Sequence, residues 1–201
     1  MPGDPVAAVV LAAGLSSRMG ENKMLIEVGG RTLVRRAVET ALSAGLDPVL
    51  VVVGHESDRV RAELRGLCCT PVLNAEYPRG MNTSLRAGIR ALPEDTGAAV
   101  VLLGDMPLVD ARMVRSLVES FRGSPAQPLV ISTYGGVVAP PILYARAVFP
   151  ELRALDADAC GKQVVKQHRA EAIELAWPSE ALTDLDEPAD LERVRSRLEA
   201  A

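Results

Sequence analysis

Apolar positions along the chain follow two rhythms. Val6 to Leu11, Val49 to Val53 and Ala98 to Leu103 are nearly unbroken apolar runs, with shorter ones at Pro71 to Leu73 and Leu129 to Ser132. Between the first two, apolar residues recur at intervals of three and four. Leu33, Val34, Ala37, Val38, Ala41 and Leu42 form one stripe, while Arg35, Arg36 and Glu39 fall elsewhere. That spacing predicts a helix over Leu33 to Ala44, with Gly45 placed to end it. Helical patterns also cover Asp58 to Leu64, Ser84 to Leu92, Arg112 to Phe121 (begun by Asp110), Gly161 to His168 and Pro188 to Leu198. Apolar strands alternating with helices predict a mostly parallel sheet covered on both faces: a single-domain α/β fold, a Rossmann-like three-layer sandwich. Tyr134 to Pro141 is rich in Gly and Pro and predicts either a hairpin or a crossover. No repeat or low-complexity linker interrupts the chain, so the C-terminal third is expected to extend the same domain.

Composition narrows the class without naming a function. With 201 residues, 48% hydrophobic and 24% charged, the chain is long enough for one core without disulfides or a structural metal. Its 22 basic and 26 acidic side chains leave a net charge of -4, which argues against a broad phosphate-neutralising surface, so no nucleic-acid partner is expected. The apolar runs are too short to cross a bilayer, and acidic Asp4 precedes the first of them where a secretory signal would be basic. A cytoplasmic location without a membrane partner is expected. Three cysteines, including the adjacent Cys68 and Cys69, match neither a disulfide framework nor a C-x-x-C metal pattern, and read as buried or incidental thiols. His55 and His168 show no zinc spacing, and loop and surface roles are expected for them.

Candidate chemistry begins directly after the first strand, where the chain reads Leu11, Ala12, Ala13, Gly14, Leu15, Ser16, Ser17, Arg18, Met19, Gly20 and then Lys23. Small residues let backbone amides approach phosphate oxygens, and Arg18 and Lys23 can neutralise the remaining charge. The spacing matches neither G-x-G-x-x-G nor G-x-x-x-x-G-K-[ST], which disfavours a dinucleotide fold or a P-loop kinase. The bland alternative is a turn with both cations on a solvated face. Asp105 follows the strand ending at Leu103, at the sheet edge where open α/β folds bind ligands. It suits a hard ion such as Mg²⁺, although an Asp starting a turn before Pro107 has the same residue type. Asp186, in competition with Asp184, could supply a second carboxylate or simply cap a helix.

The loop resembles the L-A-[AG]-G-x-[SG]-x-R-M-G-x-x-K signature of the MobA-like nucleotidyltransferases, which include the molybdenum cofactor cytidylyl- and guanylyltransferases. The resemblance continues through Gly29 to Leu33, Gly54 and His55, Asn74 to Leu85 (N-A-E-Y-P-R-G-M-N-T-S-L), Gly104 to Pro107 (G-D-M-P) and Asp184 to Leu191 (D-L-D-E-P-A-D-L). It implies a fold of the nucleotide-diphospho-sugar transferase type. Roughly residues 1–110 would bind nucleotide and roughly 111–201 the acceptor. It also implies a Mg²⁺-dependent transfer of a nucleoside monophosphate to a phosphorylated small molecule, with pyrophosphate leaving.

In that scheme Arg18, Lys23 and Asp105 are catalytic, and Asp105 and Asp186 hold the metal. Leu11, Ala12, Ala13, Gly14, Ser16, Ser17, Gly80, Met81 and Ser84 bind the nucleotide. Ala13, where the guanylyl branch usually has glycine, leans the reading to CTP. The family's G-D-x-G-A-R-like acceptor segment is A-D-A-C-G-K here, Ala157 to Lys162, leaving Asp158 and Lys162 as acceptor-site residues. Val137 to Tyr144 keeps only part of the family's Gly- and Pro-rich acceptor strand. Molybdopterin cofactor is the first acceptor the resemblance implies, with a molybdoenzyme apoprotein as a downstream partner. Methylerythritol phosphate, a sugar phosphate, or a non-catalytic role as a nucleotide- or cofactor-binding chaperone are the alternatives.

Overall fold

Strand β1, Val6–Ala12, is buried along its whole length, so its apolar run is unbroken because both faces are covered. Val6, Ala8, Val10 and Ala12 point into one core, and Ala7, Val9 and Leu11 into another. The structure, a computed structural model, describes residues 4–16, 20–155, 161–183, 190 and 194.

The elements that follow are a small ribbon of β2 (Glu27–Val28) and β3 (Arg31–Thr32), then α1 (Leu33–Ser43), β4 (Val49–Val53), α2 (Ser57–Glu63) and β5 (Thr70–Leu73). Then come α3 (Met81–Arg90), β6 (Ala98–Leu103), α4 (Ala111–Gly123), β7 (Leu129–Tyr134), β8 (Val137–Ala145), α5 (Phe149–Arg153), α6 (Gly161–Gln167) and β9 (Ile173–Trp177). The main sheet has seven strands in the order β5-β4-β1-β6-β8-β7-β9. Every neighbouring pair is parallel except those made by β8, which runs against both β6 and β7. Buried side chains of α1, α2 and α4 cover one face, and those of α3, α5 and α6 the other. The expected single-domain α/β architecture with a mostly parallel sheet is therefore present.

Of the two readings left open for the Gly- and Pro-rich stretch, the structure has the hairpin: Gly135 and Gly136, at φ 56° and 86°, turn β7 into the antiparallel β8. Helix α3 begins at Met81, not Ser84, because its first turn buries polar Thr83 through hydrogen bonds and carries no apolar stripe. Elsewhere the local signals act as read. Asp110 accepts a hydrogen bond from the Met113 amide (2.8 Å) to start α4, and Gly45, at φ 79°, ends α1.

Gly88 sets how close α3 lies to the sheet. A Cβ there would fall 2.3 Å from Cγ1 of Val9 and 3.1 Å from Cγ2 of Val52. A third small cluster joins Ile26, Val28 and Leu33 to Val194. Apart from Asp190 and Val194, the helix expected at Pro188 to Leu198 lies outside the described residues. Among the described residues, no helix is long and apolar enough to cross a membrane. Cys68 is exposed and Cys69 half-buried, and both are free thiols.

Candidate active site

Strands β5, β4, β1 and β6 are parallel neighbours, so their C-terminal ends meet along one edge of the sheet. From the end of β1 the chain passes through Ala13 and Gly14 to the half-exposed Leu15 and to Ser16, whose φ of 52° is unusual for a residue with a Cβ. The Lys23 amide donates to Ser16 Oγ (3.0 Å), so the loop closes on itself. Buried Asn22 fixes the returning chain: its Oδ1 accepts from the Met24 amide (3.1 Å) and its Nδ2 donates to the His55 carbonyl (3.2 Å). The His55 amide in turn donates to the Ala13 carbonyl (3.4 Å), tying the end of β4 to the end of β1.

Gly104 brings the next strand in. Its amide donates to the Leu11 carbonyl (3.0 Å), and a Cβ there would lie 2.6 Å from Met24 Sδ. That close approach puts the carboxylate of Asp105 against the ammonium of Lys23, each side chain about one-sixth exposed (16% and 15%). The cation of the glycine-rich loop and the acidic residue after β6 thus meet at one point. Ser17, Arg18, Asp158, Asp184 and Asp186 lie outside the described residues. Among the described residues no three His, Cys, Asp or Glu side chains cluster as a ready-made cation cage. One carboxylate beside a triphosphate is nevertheless a suitable donor set for Mg²⁺, which keeps several waters and takes much of its coordination from substrate phosphates.

The other wall starts at Asn74, buried at the end of β5. Its Nδ2 donates to Thr83 Oγ1 (2.8 Å) and Ser84 Oγ (3.0 Å), and its Oδ1 accepts from the Glu76 amide (3.0 Å). Ser84 is therefore buried and engaged with Asn74. Met81 (63% exposed) and Gly80, at φ 119°, form the open part of the turn. A Cβ on Gly54 would fall 2.7 Å from the Tyr77 ring, so this glycine lets the ring lie across the end of β4. Lys162 is exposed at the start of α6.

The sequence motif covers Asn74, Glu76 and Asn82 without assigning them a role, and Arg86 lies just beyond it. The Glu76 carboxylate meets Arg86 (2.5 Å) and Arg79 (2.8 Å), and the Arg86 hydrogen bond, foremost, holds its carboxyl below the usual carboxylate range. Asn74, Glu76, Asn82 and Arg86 are ordinary polar residues in sequence, and only the folded chain brings their partners to them.

Residues 8–172 match the model of the MobA-like NTP transferase domain. The chain belongs to this family. Members of this family of nucleotidyltransferases bind a nucleoside triphosphate and a phosphorylated acceptor and use a divalent metal. The chain is 31% identical to the purine catabolism protein PucB of Bacillus subtilis over 204 residues, 93% of this chain and 94% of that protein. It is also 36% identical to the bifunctional protein GlmU of Corynebacterium aurimucosum over 135 residues, 63% of this chain. The chain spans between a quarter and two fifths of the length of the GlmU relatives it matches (25% to 38%). Among solved structures, Rv0371c of Mycobacterium tuberculosis superposes with a TM-score of 0.84 at 27% identity, covering 96% of this chain and 98% of that one. Rv0371c has also been solved in complex with manganese, and that structure is similar to this chain at 26% identity and a TM-score of 0.76, covering 96% of this chain and 98% of that one.

Proposed function

We propose that this enzyme transfers CMP from CTP to a phosphorylated small molecule, with molybdopterin cofactor as acceptor and Mg²⁺ as the ion. The observation that carries the reading is the meeting of Lys23 and Asp105 at the end of β1 and β6, directly beside the glycine-containing loop. A phosphate oxygen of the acceptor attacks the α-phosphorus, the bond to the bridging oxygen breaks, and pyrophosphate leaves with both electrons of that bond. The nucleophile is already ionised at neutral pH, so the residues have to position and neutralise, with no general base required. Lys23, together with Arg18, balances charge on the triphosphate and on the departing pyrophosphate. When bound, Mg²⁺ supplies charge stabilisation at the phosphate oxygens, with Asp105 and Asp186 as its protein ligands.

In this reading the amides and small side chains of Leu11, Ala12, Ala13, Gly14, Ser16 and Ser17 hold the phosphates and ribose. Gly80, Met81 and Ser84 meet the base. Ala13 stands where the guanylyl branch usually has glycine, which favours CTP. Roughly residues 1–110 serve the nucleotide, and roughly residues 111–201, with Asp158 and Lys162, serve the acceptor. A finished dinucleotide cofactor would pass to a molybdoenzyme apoprotein. One observation favours a different acceptor, such as a sugar phosphate: Lys162 stands where the acceptor segment would carry Arg, and an ammonium cannot form the bidentate guanidinium contact.

Pyrophosphate release tests both readings, with each of the common triphosphates against molybdopterin, methylerythritol phosphate and sugar phosphates. CTP with molybdopterin should turn over fastest, and Asp105→Ala should slow it by about 10²–10³. Preference for another triphosphate overturns the choice of CTP, and turnover indifferent to Asp105→Ala overturns the metal role.

A further inference from the structure

Helix α3 reaches across to the opposite half of the chain through three side chains. Asn82, in its first turn, accepts a hydrogen bond from the Gly161 amide (3.0 Å), the first residue of α6. Arg86, one turn later, donates to the Leu155 carbonyl (3.1 Å) just beyond α5 while its other nitrogen holds Glu76. These contacts grip the described residues on both sides of 156–160. A third contact, from Arg90 to the Arg153 carbonyl (3.2 Å), continues the same line. Gly161 also rests on α3 directly, since a Cβ there would lie 3.0 Å from Cδ2 of Leu85.

Helix α6 has seven residues, far fewer than an isolated helix needs, so its position depends on what holds its ends. At its far end His168 Nε2 lies 2.9 Å from the Glu151 carboxylate of α5. At its near end, beside Lys162, the Gly161 amide donates to Asn82 Oδ1. The backbone at the opposite side of Asn82 is Gly80 and Met81, the exposed turn before α3. Asn82 therefore stands between the turn read as meeting the base and the helix that carries Lys162.

We propose that Asn82 and Arg86 are positioning residues through which occupation of the Gly80–Met81 turn by a nucleotide base sets the position of α6 and its Lys162. This rests on the reading that the base lies at that turn. The coupling is physical: ordering the first turn of α3 fixes Asn82, and Asn82 fixes the first amide of α6. Arg86 keeps the preceding segment in register by holding Glu76 and the Leu155 carbonyl together. A single hydrogen bond of this kind is worth about a threefold to tenfold change in an opening equilibrium.

Hydrogen exchange of the full chain with and without Mg²⁺ and CTP tests the proposal without requiring an acceptor. In the wild type, nucleotide should slow exchange in 81–90 and in 161–167 together. In Asn82→Ala the slowing should persist in 81–90 and fall by about threefold to tenfold in 161–167. Asn82→Asp, which keeps an accepting oxygen, should restore it, and this variant separates coupling from a mere folding defect. Slowing confined to 81–90 in the wild type, or a wild-type pattern in Asn82→Ala, overturns the coupling while leaving the base reading intact. Nucleotide binding that leaves 81–90 unchanged overturns both.

Discussion

Lys23 and Asp105 form an ion pair at the point where the loop after β1 meets the end of β6, each with most of its side chain withdrawn from solvent. The pair is positioned by backbone: Gly104 presses against Met24, which belongs to the turn headed by Lys23. A divalent cation approaching Asp105 without nucleotide meets a carboxylate whose charge is already balanced. A triphosphate changes this, because its oxygens offer Lys23 a second anionic partner.

Exchange of partners at Asp105 has a measurable consequence. Lys23→Met should bind free Mn²⁺ more tightly than the wild type in the absence of nucleotide, read by the loss of the free-ion paramagnetic resonance signal, while Asp105→Asn should not. Both substitutions should lower turnover by about 10²–10³, because each removes charge stabilisation that the phosphates need. Equal Mn²⁺ affinity in wild type and Lys23→Met would show that the lysine does not compete for this carboxylate.

Two glycines separate packing from binding. Gly88→Ala drives a methyl group onto Val9, at 2.3 Å, in a strand with no room to retreat, and should cost about 1–3 kcal/mol as overpacking. Calorimetry should record a fall in Tm of several degrees. Gly14→Ala meets nothing within 4 Å, so Tm should stay within about a degree of wild type. Its added methyl nevertheless stands in the loop read as the phosphate cradle, so CTP affinity should weaken. A destabilised Gly14→Ala with unchanged affinity would reverse these assignments.

Much of the fold was legible because burial on two faces leaves a mark in sequence. For β4 and β6, Val49 to Val53 and Ala98 to Leu103, the expected and observed limits coincide, since every residue is apolar until the strand ends. The start of α3 was not legible, because Thr83 is buried through hydrogen bonds and not through an apolar stripe, so Met81 to Thr83 has no apolar period to detect. Nor could the Gly- and Pro-rich stretch declare itself a hairpin: those residues encode a bend, whereas the pairing of β8 between β7 and β6 is decided by tertiary contact. At the candidate site, the motifs named Lys23 and Asp105 separately. Their contact depends on the fit of Gly104 against Met24. Gly161 and Leu155, which Asn82 and Arg86 meet across the fold, lie 79 and 69 residues away, beyond any local pattern.

Acid should weaken the α3 network through Glu76. Its folded carboxyl is held below the ordinary value of 4.5, first by the Arg86 hydrogen bond, so the ionised form is favoured by folding. The resulting stability is present above that ordinary value and is lost as pH falls through the depressed folded value. Glu76→Gln should therefore lower Tm near neutral pH and converge with wild type in acid, when thermal unfolding is followed across pH. The carboxylate is exposed, so the effect should be small and should shrink in high salt. A constant difference at every pH would mean that the ion pairs with Arg86 and Arg79 contribute nothing.

Asn74 links stability to the base-side turn more directly. One side chain supplies both its polar atoms to buried or half-buried groups: the Thr83 and Ser84 hydroxyls on one side and the Glu76 amide on the other. Replacing it by alanine leaves those groups without this partner, in a place too enclosed for easy rehydration, at about 1–3 kcal/mol. Asn74→Ala should also release the first turn of α3, raising KM for the triphosphate while changing kcat less, because Lys23 and Asp105 sit in the turns after β1 and β6. Steady-state kinetics on the same preparation used for calorimetry separates the two effects. A fall in kcat with unchanged KM would place Asn74 in the chemistry of transfer, and not in holding the turn that receives the base.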